Sequence, residues 1–355
     1  MAVYSYKCPN CLGPLAFDPD SQTFSCEYCL GSFTKAEIEA SHIHTEAEQI
    51  SDAAEAAALN ATSEAAEMLL YRCPSCGAQV VTDATTAADT CYYCHNHIML
   101  EGRLGGEYAP ARIIPFAISK EQAQQRFFDW VKSKSFVPKS FFSKKQAELI
   151  SGVYFPYWIN DVDLYASANG RATDVNVWRA GNIEYTRTKT YRLRRAGNIH
   201  FEDITNLALS GVDRELVTAV QPFDPAGMRP FEMPYLSGFV AKRRDIEAEQ
   251  LQDEVERKIH DYSAELLRDS VSGHGSVSME EPQVQIKNLT WDYTLLPVWV
   301  LTYRGADGKL YYYALNGQTG QLAGKLPVDK GKLSLTALGV FALTFILGVL
   351  IGGVL

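Results

Sequence analysis

Cys8-Pro-Asn-Cys11 and Cys26-Glu-Tyr-Cys29 stand near the start of the chain, and Cys73-Pro-Ser-Cys76 and Cys91-Tyr-Tyr-Cys94 repeat their arrangement. Within each half, 14 residues separate the two CxxC pairs. Two residues between cysteines let one tight turn direct both sulfurs at a single ion, and two such turns complete a tetrahedral site of four thiolates. The spacing therefore predicts a duplicated β zinc ribbon that binds two zinc ions per chain through Cys8, Cys11, Cys26, Cys29, Cys73, Cys76, Cys91 and Cys94.

A site closed by four thiolates has no open coordination position, so the predicted zinc is structural and supplies on the order of 10 kcal/mol of folding free energy per site. Because a tetrahedral all-sulfur site also accepts iron, that metal stays an alternative to zinc. Eight unrelated buried thiols are a further alternative, against which the repeated spacing argues. Since four thiolates already close each site, His95 and His97 are predicted to be surface residues and not ligands.

A c-type haem is another interpretation of one cysteine pair. Cys91-Tyr-Tyr-Cys94-His95 matches the haem attachment pattern. Haem attachment requires export, and Met1 to Lys7 contains no apolar run of signal-peptide length. Haem attachment would also leave Cys73 and Cys76 without a role. In a reducing compartment, paired thiols more often hold metal than form disulfides, which favours the zinc interpretation.

Charge is unevenly distributed along the chain. Residues 1–107 contain four Lys/Arg and fifteen Asp/Glu, a net charge of −11, whereas the remainder contains 29 Lys/Arg and 27 Asp/Glu. The net acidity therefore coincides with the cysteines, in a region that would repel a polyanion such as nucleic acid.

The composition predicts several domains. At 355 residues and 46% hydrophobic content, the chain is long enough for two or three domains with a substantial core. The predicted fold class is a multidomain α+β protein with two small β zinc ribbons, a mixed α+β core and one C-terminal transmembrane helix. The predicted segments are ribbon 1 (1–33), an Ala/Glu-rich helical linker (34–70), ribbon 2 (71–105), the core (106–332) and the anchor (333–355).

Within the core, the apolar spacing predicts both helices and strands. Helices are predicted over Ser119–Ser133 and Asp245–Leu267. Strands are predicted over Val153–Ala168, Glu184–Leu193 and Leu295–Tyr303. Hairpin turn signals occur at Asn169-Gly170, Asp307-Gly308 and Asn316-Gly317.

Two of the apolar segments share a Pro-x-Trp pattern. These are Phe155-Pro156-Tyr157-Trp158-Ile159 and Leu296-Pro297-Val298-Trp299-Val300, offset by 141 residues. The pattern indicates either two related α+β lobes or a coincidence between two aromatic core strands.

The C-terminal segment is apolar. Its last 23 residues, Leu333 to Leu355, carry no charge, and at 1.5 Å per residue they would rise about 34 Å, enough to cross a bilayer core. Lys325, Lys330 and Lys332 precede them, and the positive-inside rule keeps such a flank cytoplasmic. The sequence therefore predicts a single-pass protein of the cell inner (cytoplasmic) membrane whose N-terminal part is cytoplasmic.

The sequence contains no motif typical of a catalytic site, so the chain is predicted not to be an enzyme. The seven histidines form no HExxH pair, there is no GxSxG elbow, and Gly324-Lys325-Leu326 lacks the spacing of a phosphate loop. Asp161 and Asp163, alternate residues of one predicted strand, are the one carboxylate pair to consider.

Together these features resemble the bacterial membrane-anchored double zinc-ribbon proteins, often labelled TFIIB-type zinc ribbon-containing or primosomal protein N' (replication restart helicase)-like. The resemblance rests on the two cysteine clusters and on core motifs at Ala109–Phe116, Tyr154–Trp158 and Leu296–Gly320. It implies a non-enzymatic membrane scaffold associated with phage-shock-type and prohibitin-like (SPFH) proteins, and it provides no catalytic residue. The sequence contains no helicase motor, so the resemblance to the primosomal helicase covers only the zinc ribbons.

Two functions therefore compete. The first is a membrane-anchored adaptor that holds protein partners at the cytoplasmic membrane face through its ribbons. The alternative is a zinc-ribbon nucleic-acid-binding protein tethered to the membrane, which the acidity of residues 1–107 disfavours. One basic stretch in the core is either a protected edge strand or a contact for anionic lipid: Arg187, Lys189, Arg192, Arg194 and Arg195.

Overall fold

The computed structural model contains a 14-stranded mixed β-sheet, a three-stranded sheet and a two-stranded sheet. The structure describes residues 2–41, 47–48, 68–73, 76, 78–91, 96–100, 104, 106–138, 148–212, 214–304 and 310–352. The strands are β1 (Ala2–Tyr4), β2 (Ala16–Asp18), β3 (Thr23–Ser25), β4 (Ser32–Phe33), β5 (Ala47–Glu48), β6 (Met68–Arg72), β7 (Gln79–Asp83), β8 (Thr86–Thr90), β9 (His97–Leu100), β10 (Arg112–Ile113), β11 (Ser151–Ala180), β12 (Ile183–Leu207), β13 (Arg229–Pro230), β14 (Val240–Lys242), β15 (Ser276–Met279), β16 (Gln283–Leu289), β17 (Asp292–Arg304), β18 (Leu310–Asn316) and β19 (Leu322–Gly324).

Five α-helices accompany the sheets in the described part of the chain: α1 (Lys35–Ser41), α2 (Lys120–Lys132), α3 (Arg214–Thr218), α4 (Ala248–Asp269) and α5 (Lys330–Gly352). The two helices predicted in the core are confirmed as α2 and α4, with ends shifted by at most three residues. In α4, the side chain of Glu247 and that of Gln250 cap each other's backbone N–H groups. Leu251, Val255 and Ile259, each four residues apart, form its buried face.

Strand β11 is the central element of the large sheet. It pairs antiparallel with β12, β15, β16 and β17, and parallel with β14. The predicted strands Val153–Ala168 and Glu184–Leu193 are segments of the much longer β11 and β12.

The predicted turn at Asn169-Gly170 is wrong, because β11 continues through it and turns only after Ala180. A Cβ added to Gly170 would lie 2.5 Å from Met279 Sδ and 2.6 Å from the Ser278 carbonyl oxygen. This glycine therefore permits the close approach of β15 and does not mark a hairpin. Asn316-Gly317 does form a turn, between β18 and β19. Asp307-Gly308 lies outside the described residues.

The two Pro-x-Trp strands lie side by side in one sheet. Tyr154 of β11 pairs with Pro297 of β17, and Pro156 pairs with Leu295. Trp158 and Trp299 belong to the same buried cluster. The core is therefore not divided into one lobe for each motif.

The predicted α+β fold class needs correction, because the described structure is mostly β-sheet. The difference comes mainly from β11 and β12, whose 30 and 25 residues hydrogen-bond along almost their whole length. The two strands form one long hairpin, and the local alternation that predicts a strand covers only part of each. Of the predicted helical linker 34–70, α1 and β5 are described, and residues 49–67 lie outside the described residues.

The predicted transmembrane anchor over 333–355 is also corrected. Among the residues that the structure describes, no helix is long and apolar enough to cross a membrane. The predicted location as a single-pass inner-membrane protein is contradicted by this finding.

Candidate metal centre

The four cysteines of the first cluster converge on one point. The Sγ atoms of Cys8, Cys11, Cys26 and Cys29 all lie within 4.8 Å of one another. Cys8 Sγ lies 3.5 Å from Cys29 Sγ, and Cys11 Sγ lies 3.5 Å from Cys26 Sγ. Four sulfurs bonded to zinc at about 2.3 Å stand about 3.8 Å apart in a tetrahedron. The donor set and its spacing fit a zinc ion, and the separations are far longer than a disulfide bond.

The same backbone turn surrounds the first cysteine of every CxxC pair. Its N–H donates to the carbonyl oxygen five residues later: Cys8 to Gly13 at 2.8 Å, Cys26 to Gly31 at 3.0 Å, Cys73 to Ala78 at 2.8 Å and Cys91 to Asn96 at 2.9 Å. These four equivalent hydrogen bonds show that the duplicated sequence folds into duplicated turns.

Gly13 and Gly31 are needed for space. A Cβ on Gly13 would lie 3.0 Å from Tyr28 Cδ2, and one on Gly31 would lie 3.0 Å from the ring of Phe33. The left-handed backbone belongs to the preceding residues instead, since Leu12 has φ 61° and Leu30 has φ 57°. Such values are rare for residues other than glycine.

Hydrogen bonds distribute the protons of the first cluster unevenly. Burial works against ionisation of Cys26, but the backbone N–H groups of Cys29 and Tyr28 outweigh it and lower the pKa of Cys26 to about 7. The N–H of Gly13 favours ionised Cys11, but hydrogen bonding to the Cys26 sulfur, burial and hydrogen bonding to the Cys29 and Cys8 sulfurs together outweigh it and raise the pKa of Cys11 to about 12. A divalent cation at the centre would replace the protons that these sulfurs share.

The second cluster brings three cysteines together. The Sγ atoms of Cys73, Cys76 and Cys91 lie within 4.8 Å of one another, with 3.8 Å between Cys76 and Cys91. Cys94, the predicted fourth ligand, and His95 lie outside the described residues. His97 is half-buried and contacts the Thr90 hydroxyl at 3.2 Å. Burial lowers the pKa of His97 to about 4.

The first cluster is packed on the large sheet. Cys8 and Cys26 belong to the same buried cluster as Phe116, Tyr154 and Trp299. The Gln22 side-chain amide donates to the Phe116 carbonyl oxygen at 2.8 Å. Formation of this metal site is therefore structurally coupled to the core.

The second cluster has its own small apolar core. Cys73 and Cys91 pack with Val80, Ile98 and Leu100. Its strand β8 joins the large sheet by pairing with β14. Lys242 Nζ of β14 lies 2.6 Å from Asp83 Oδ2, and this contact lowers the pKa of Asp83 although burial opposes the shift.

The structure gives Asp161 and Asp163 separate partners. Asp161 accepts a hydrogen bond from the Asp203 N–H at 3.0 Å, whereas Asp163 Oδ1 lies 2.8 Å from His200 Nδ1. Each carboxylate is occupied in its own contact, so the two do not face a common reacting centre. The five cations of the predicted basic stretch all lie on β12.

An exposed apolar patch at the first cluster was missed by the sequence analysis. Leu12, Tyr28 and Leu30 surround the exposed Cys11 and Cys29, and their side chains are 60%, 71% and 87% exposed. One difference in the sequence pointed to this patch: glycine (Gly77) directly follows Cys76 of the second ribbon, whereas leucine follows Cys11 and Cys29 of the first. We call Leu12, Tyr28 and Leu30 the knuckle patch.

Comparison with known proteins identifies a relative along the whole chain. No family model matches the sequence, and no solved structure matches it. The Bacillus subtilis (strain 168) protein YdjG, itself uncharacterized, is 31% identical over 349 residues, which cover 97% of this chain and 96% of YdjG. With this identity over nearly the full length of both proteins, the chain belongs to the same family as YdjG.

Proposed function

We propose that this chain is a non-enzymatic zinc-ribbon scaffold that binds a protein partner through the knuckle patch. The observation that carries the proposal is the exposure of Leu12, Tyr28 and Leu30 around one metal site. Apolar side chains grouped at the surface, with a polar surround, mark protein interaction sites. The cysteines would hold the patch rigid, because each leucine directly follows a cysteine.

The chemistry of the first ribbon favours a protein over a nucleic acid. The segment from Cys8 to Phe33 contains no Lys, Arg or His, and it contains the carboxylates of Asp18, Asp20 and Glu27. Phosphate contacts require cations, so this surface would repel a nucleic-acid backbone. An apolar patch beside acidic residues suits a protein surface that offers an apolar pocket with a basic rim.

The backbone supports a binding role for the leucines. A left-handed conformation costs a non-glycine residue roughly 1–2 kcal/mol, and such strain is found at functional sites. Glycine would remove the strain, and the sequence has a glycine, Gly77, directly after Cys76. Retaining leucine at both Leu12 and Leu30 suggests that their exposed side chains serve an external contact.

The absence of enzymatic activity is part of the proposal. Four thiolates around one ion leave no position for a substrate, so the metal would be structural. The resemblance to membrane-anchored double zinc-ribbon proteins adds phage-shock-type and prohibitin-like (SPFH) proteins as the partner classes to test first.

The experiment compares the wild-type chain with the Leu12→Gly, Leu30→Gly double variant as bait. Both baits are purified without chelator in a mild detergent, because α5 exposes apolar side chains such as Leu335 and Phe341. Purified phage-shock-type and SPFH proteins are then tested for direct binding after nuclease treatment. We expect at least one to bind the wild type and to bind the double variant at least about tenfold more weakly, the loss expected for apolar anchors at the centre of an interface.

Zinc content serves as the control for fold, since glycine suits the left-handed backbone and both baits should hold equal zinc. A Tyr28→Ser variant tests the patch from a position with an ordinary backbone. Equal binding by all three baits would overturn the assignment of the knuckle patch.

A further inference from the structure

The β11–β12 hairpin extends beyond the rest of the large sheet. Strand β15 pairs with β11 from Gly170 to Thr173, and from Asp174 onward β11 pairs only with β12 in the described structure. Contacts of Asp174 with His274 and Gly275 mark the last support. Beyond them, a two-stranded ribbon continues for about 20 Å at 3.3 Å per residue to the turn at Gly181. We call residues 171–195 the arm.

The arm is basic in an acidic protein. It contains seven Lys/Arg and two Asp/Glu, whereas the whole chain carries −9. The acidic ribbons lie near the other end of β11, since β8 of the second ribbon joins β14, which pairs with Val153 and Tyr154. Val153 to Arg171 spans roughly 60 Å of strand, so the acidic ribbons do not neutralise the arm within one molecule.

Three arginines of the arm share one solvent-facing surface. Arg171 lies directly opposite Arg192, and Arg194 lies opposite Asn169 in the next row of the same face. All three side chains are exposed, and in the described part of the chain no ion pair joins them to a carboxylate. Like charges placed directly opposite each other destabilise a sheet. An anion bound between them would remove this repulsion.

The opposite face of the arm is also basic, and it carries aromatic residues. Arg187 and Lys189 lie opposite Asn176 and Asp174, respectively. In the next row, Trp178 and Tyr185 stack with ring centroids 5.5 Å apart and are 46% and 41% exposed. Helix α4 covers this face only nearer the base, where Val162, Leu164 and Ala166 are buried.

The hairpin carries cations on both faces: Arg187 and Lys189 lie on one face of its two-stranded part, and Arg171, Arg192 and Arg194 lie on the other face beside β15. A lipid bilayer presents phosphates to one face, whereas the major groove of B-form DNA, about 12 Å wide, has phosphates on both walls and admits a two-stranded β-ribbon. The deep, narrow major groove of duplex RNA does not admit one. Threonines 186, 188 and 190 of the arm add hydroxyl donors for phosphate oxygens.

We propose that the arm is a binding site for duplex DNA. Its two-stranded part enters the major groove with Arg187 and Lys189 toward one phosphate wall, and Arg171, Arg192 and Arg194 contact phosphates of the other wall at the base of the arm, beside β15. The aromatic pair near the tip contacts base edges or sugars. This site is separate from the two ribbons, residues 1–33 and 71–105, which carry net charges of −2 and −1. It therefore does not depend on the scaffold function proposed above.

The test uses the full chain and a fluorescently labelled DNA duplex of about 20 base pairs, titrated by anisotropy between about 50 and 200 mM salt. One variant neutralises the first face by Arg171→Gln, Arg192→Gln and Arg194→Gln. A second neutralises the other face by Arg187→Gln and Lys189→Gln. The matched control removes three exposed cations distant from the arm by Lys120→Gln, Lys132→Gln and Lys134→Gln. Vesicles containing phosphatidylserine are titrated in parallel.

We expect wild-type affinity for DNA to fall steeply with salt, and each arm variant to bind at least about tenfold more weakly at low salt. The control should bind within about twofold of wild type, because its three cations lie away from the arm. Its net charge changes as much as that of the first variant, so a general effect of net charge would weaken binding by both equally. A loss from one face only, an equal loss in the control, or binding of vesicles without binding of DNA would each overturn the proposal.

Discussion

Leu12 and Leu30 occupy equivalent positions in the two cysteine turns of the first ribbon, and both have left-handed backbones, with φ of 61° and 57°. Each N–H donates at 2.9 Å to the carbonyl oxygen of the first cysteine in its turn, Cys8 or Cys26. The geometry that closes the sulfur cage thus directs two apolar side chains into solvent. Metal binding and the exposed patch are therefore parts of one local structure.

Replacing both leucines with glycine should leave stability almost unchanged. Relief of backbone strain, roughly 1–2 kcal/mol per residue, offsets the added chain entropy of glycine, and the exposed side chains bury little area. The free energy of unfolding, measured by denaturant titration, should change by less than about 1 kcal/mol. Leu15→Gly, at a position 1% exposed in the same ribbon, is the contrast and should cost about 3 kcal/mol or more. A large loss in the double variant would show that the leucines serve the fold.

The chain should contain two zinc ions. Replacing Cys8 and Cys11 with serine, or Cys73 and Cys76, should remove one ion and leave the other, because each replacement removes two ligands from one predicted site only. Elemental analysis of protein purified without chelator measures the content. One ion or none in the wild type would contradict the two-site prediction, and iron in place of zinc would identify the other metal that fits this donor set.

The two metal sites should differ in their effect on the core. Cys8 and Cys26 pack in the main buried cluster, whereas Cys73 and Cys91 pack in a small cluster of their own. Loss of the first metal should therefore lower the midpoint of the main thermal transition by more than loss of the second. Tryptophan fluorescence reports this transition, since Trp158 and Trp299 lie in the main cluster. Equal shifts in the two cysteine variants would argue against the coupling.

Asn316 should be essential for stability. Its fully buried side chain donates to the Val220 and Pro222 carbonyl oxygens at 2.9 and 3.1 Å and accepts from the Gln318 and Thr319 N–H groups at 2.9 Å each. Asn316→Ala leaves these four groups, of which the Val220 carbonyl is buried, without their partner and should cost about 3 kcal/mol or more, measured by denaturant unfolding. The exposed Asn288→Ala is the control and should change stability by less than about 0.5 kcal/mol.

His200 should titrate above its ordinary pKa. Hydrogen bonds with Asp163 at 2.8 Å and Glu202 at 3.1 Å favour the charged imidazolium and raise the pKa of His200. Because the folded pKa exceeds the unfolded value of about 6.5, the contribution to stability is present below that pH and is lost as pH rises through the folded pKa. An NMR titration of the ring protons should show the raised pKa, and Asp163→Asn should lower it. A wild-type value at or below the unfolded value would refute the contact.

Local features of this protein follow from its sequence alone. The CxxC spacing predicts that Cys8, Cys11, Cys26 and Cys29 meet, and likewise Cys73, Cys76 and Cys91, because a two-residue gap fixes sulfur geometry within one turn. The helices α2 and α4 were also readable, because the apolar spacing of Phe127 and Val131 or of Val255 and Ile259 is a local property. Charge and composition likewise located the acidic ribbons and the basic stretch.

Other features of the fold are set by strand pairing, and these become visible in the tertiary structure. Asn169-Gly170 has the composition of a turn, but β15, more than 100 residues later, pairs beside it and needs a residue without a side chain at Gly170. The arm exists because β11 and β12 stay paired beyond their neighbours, which gives Arg171 and Arg192 a shared face. Local periodicity does not specify such pairings, since a strand's partner and register are set by packing across the whole sheet.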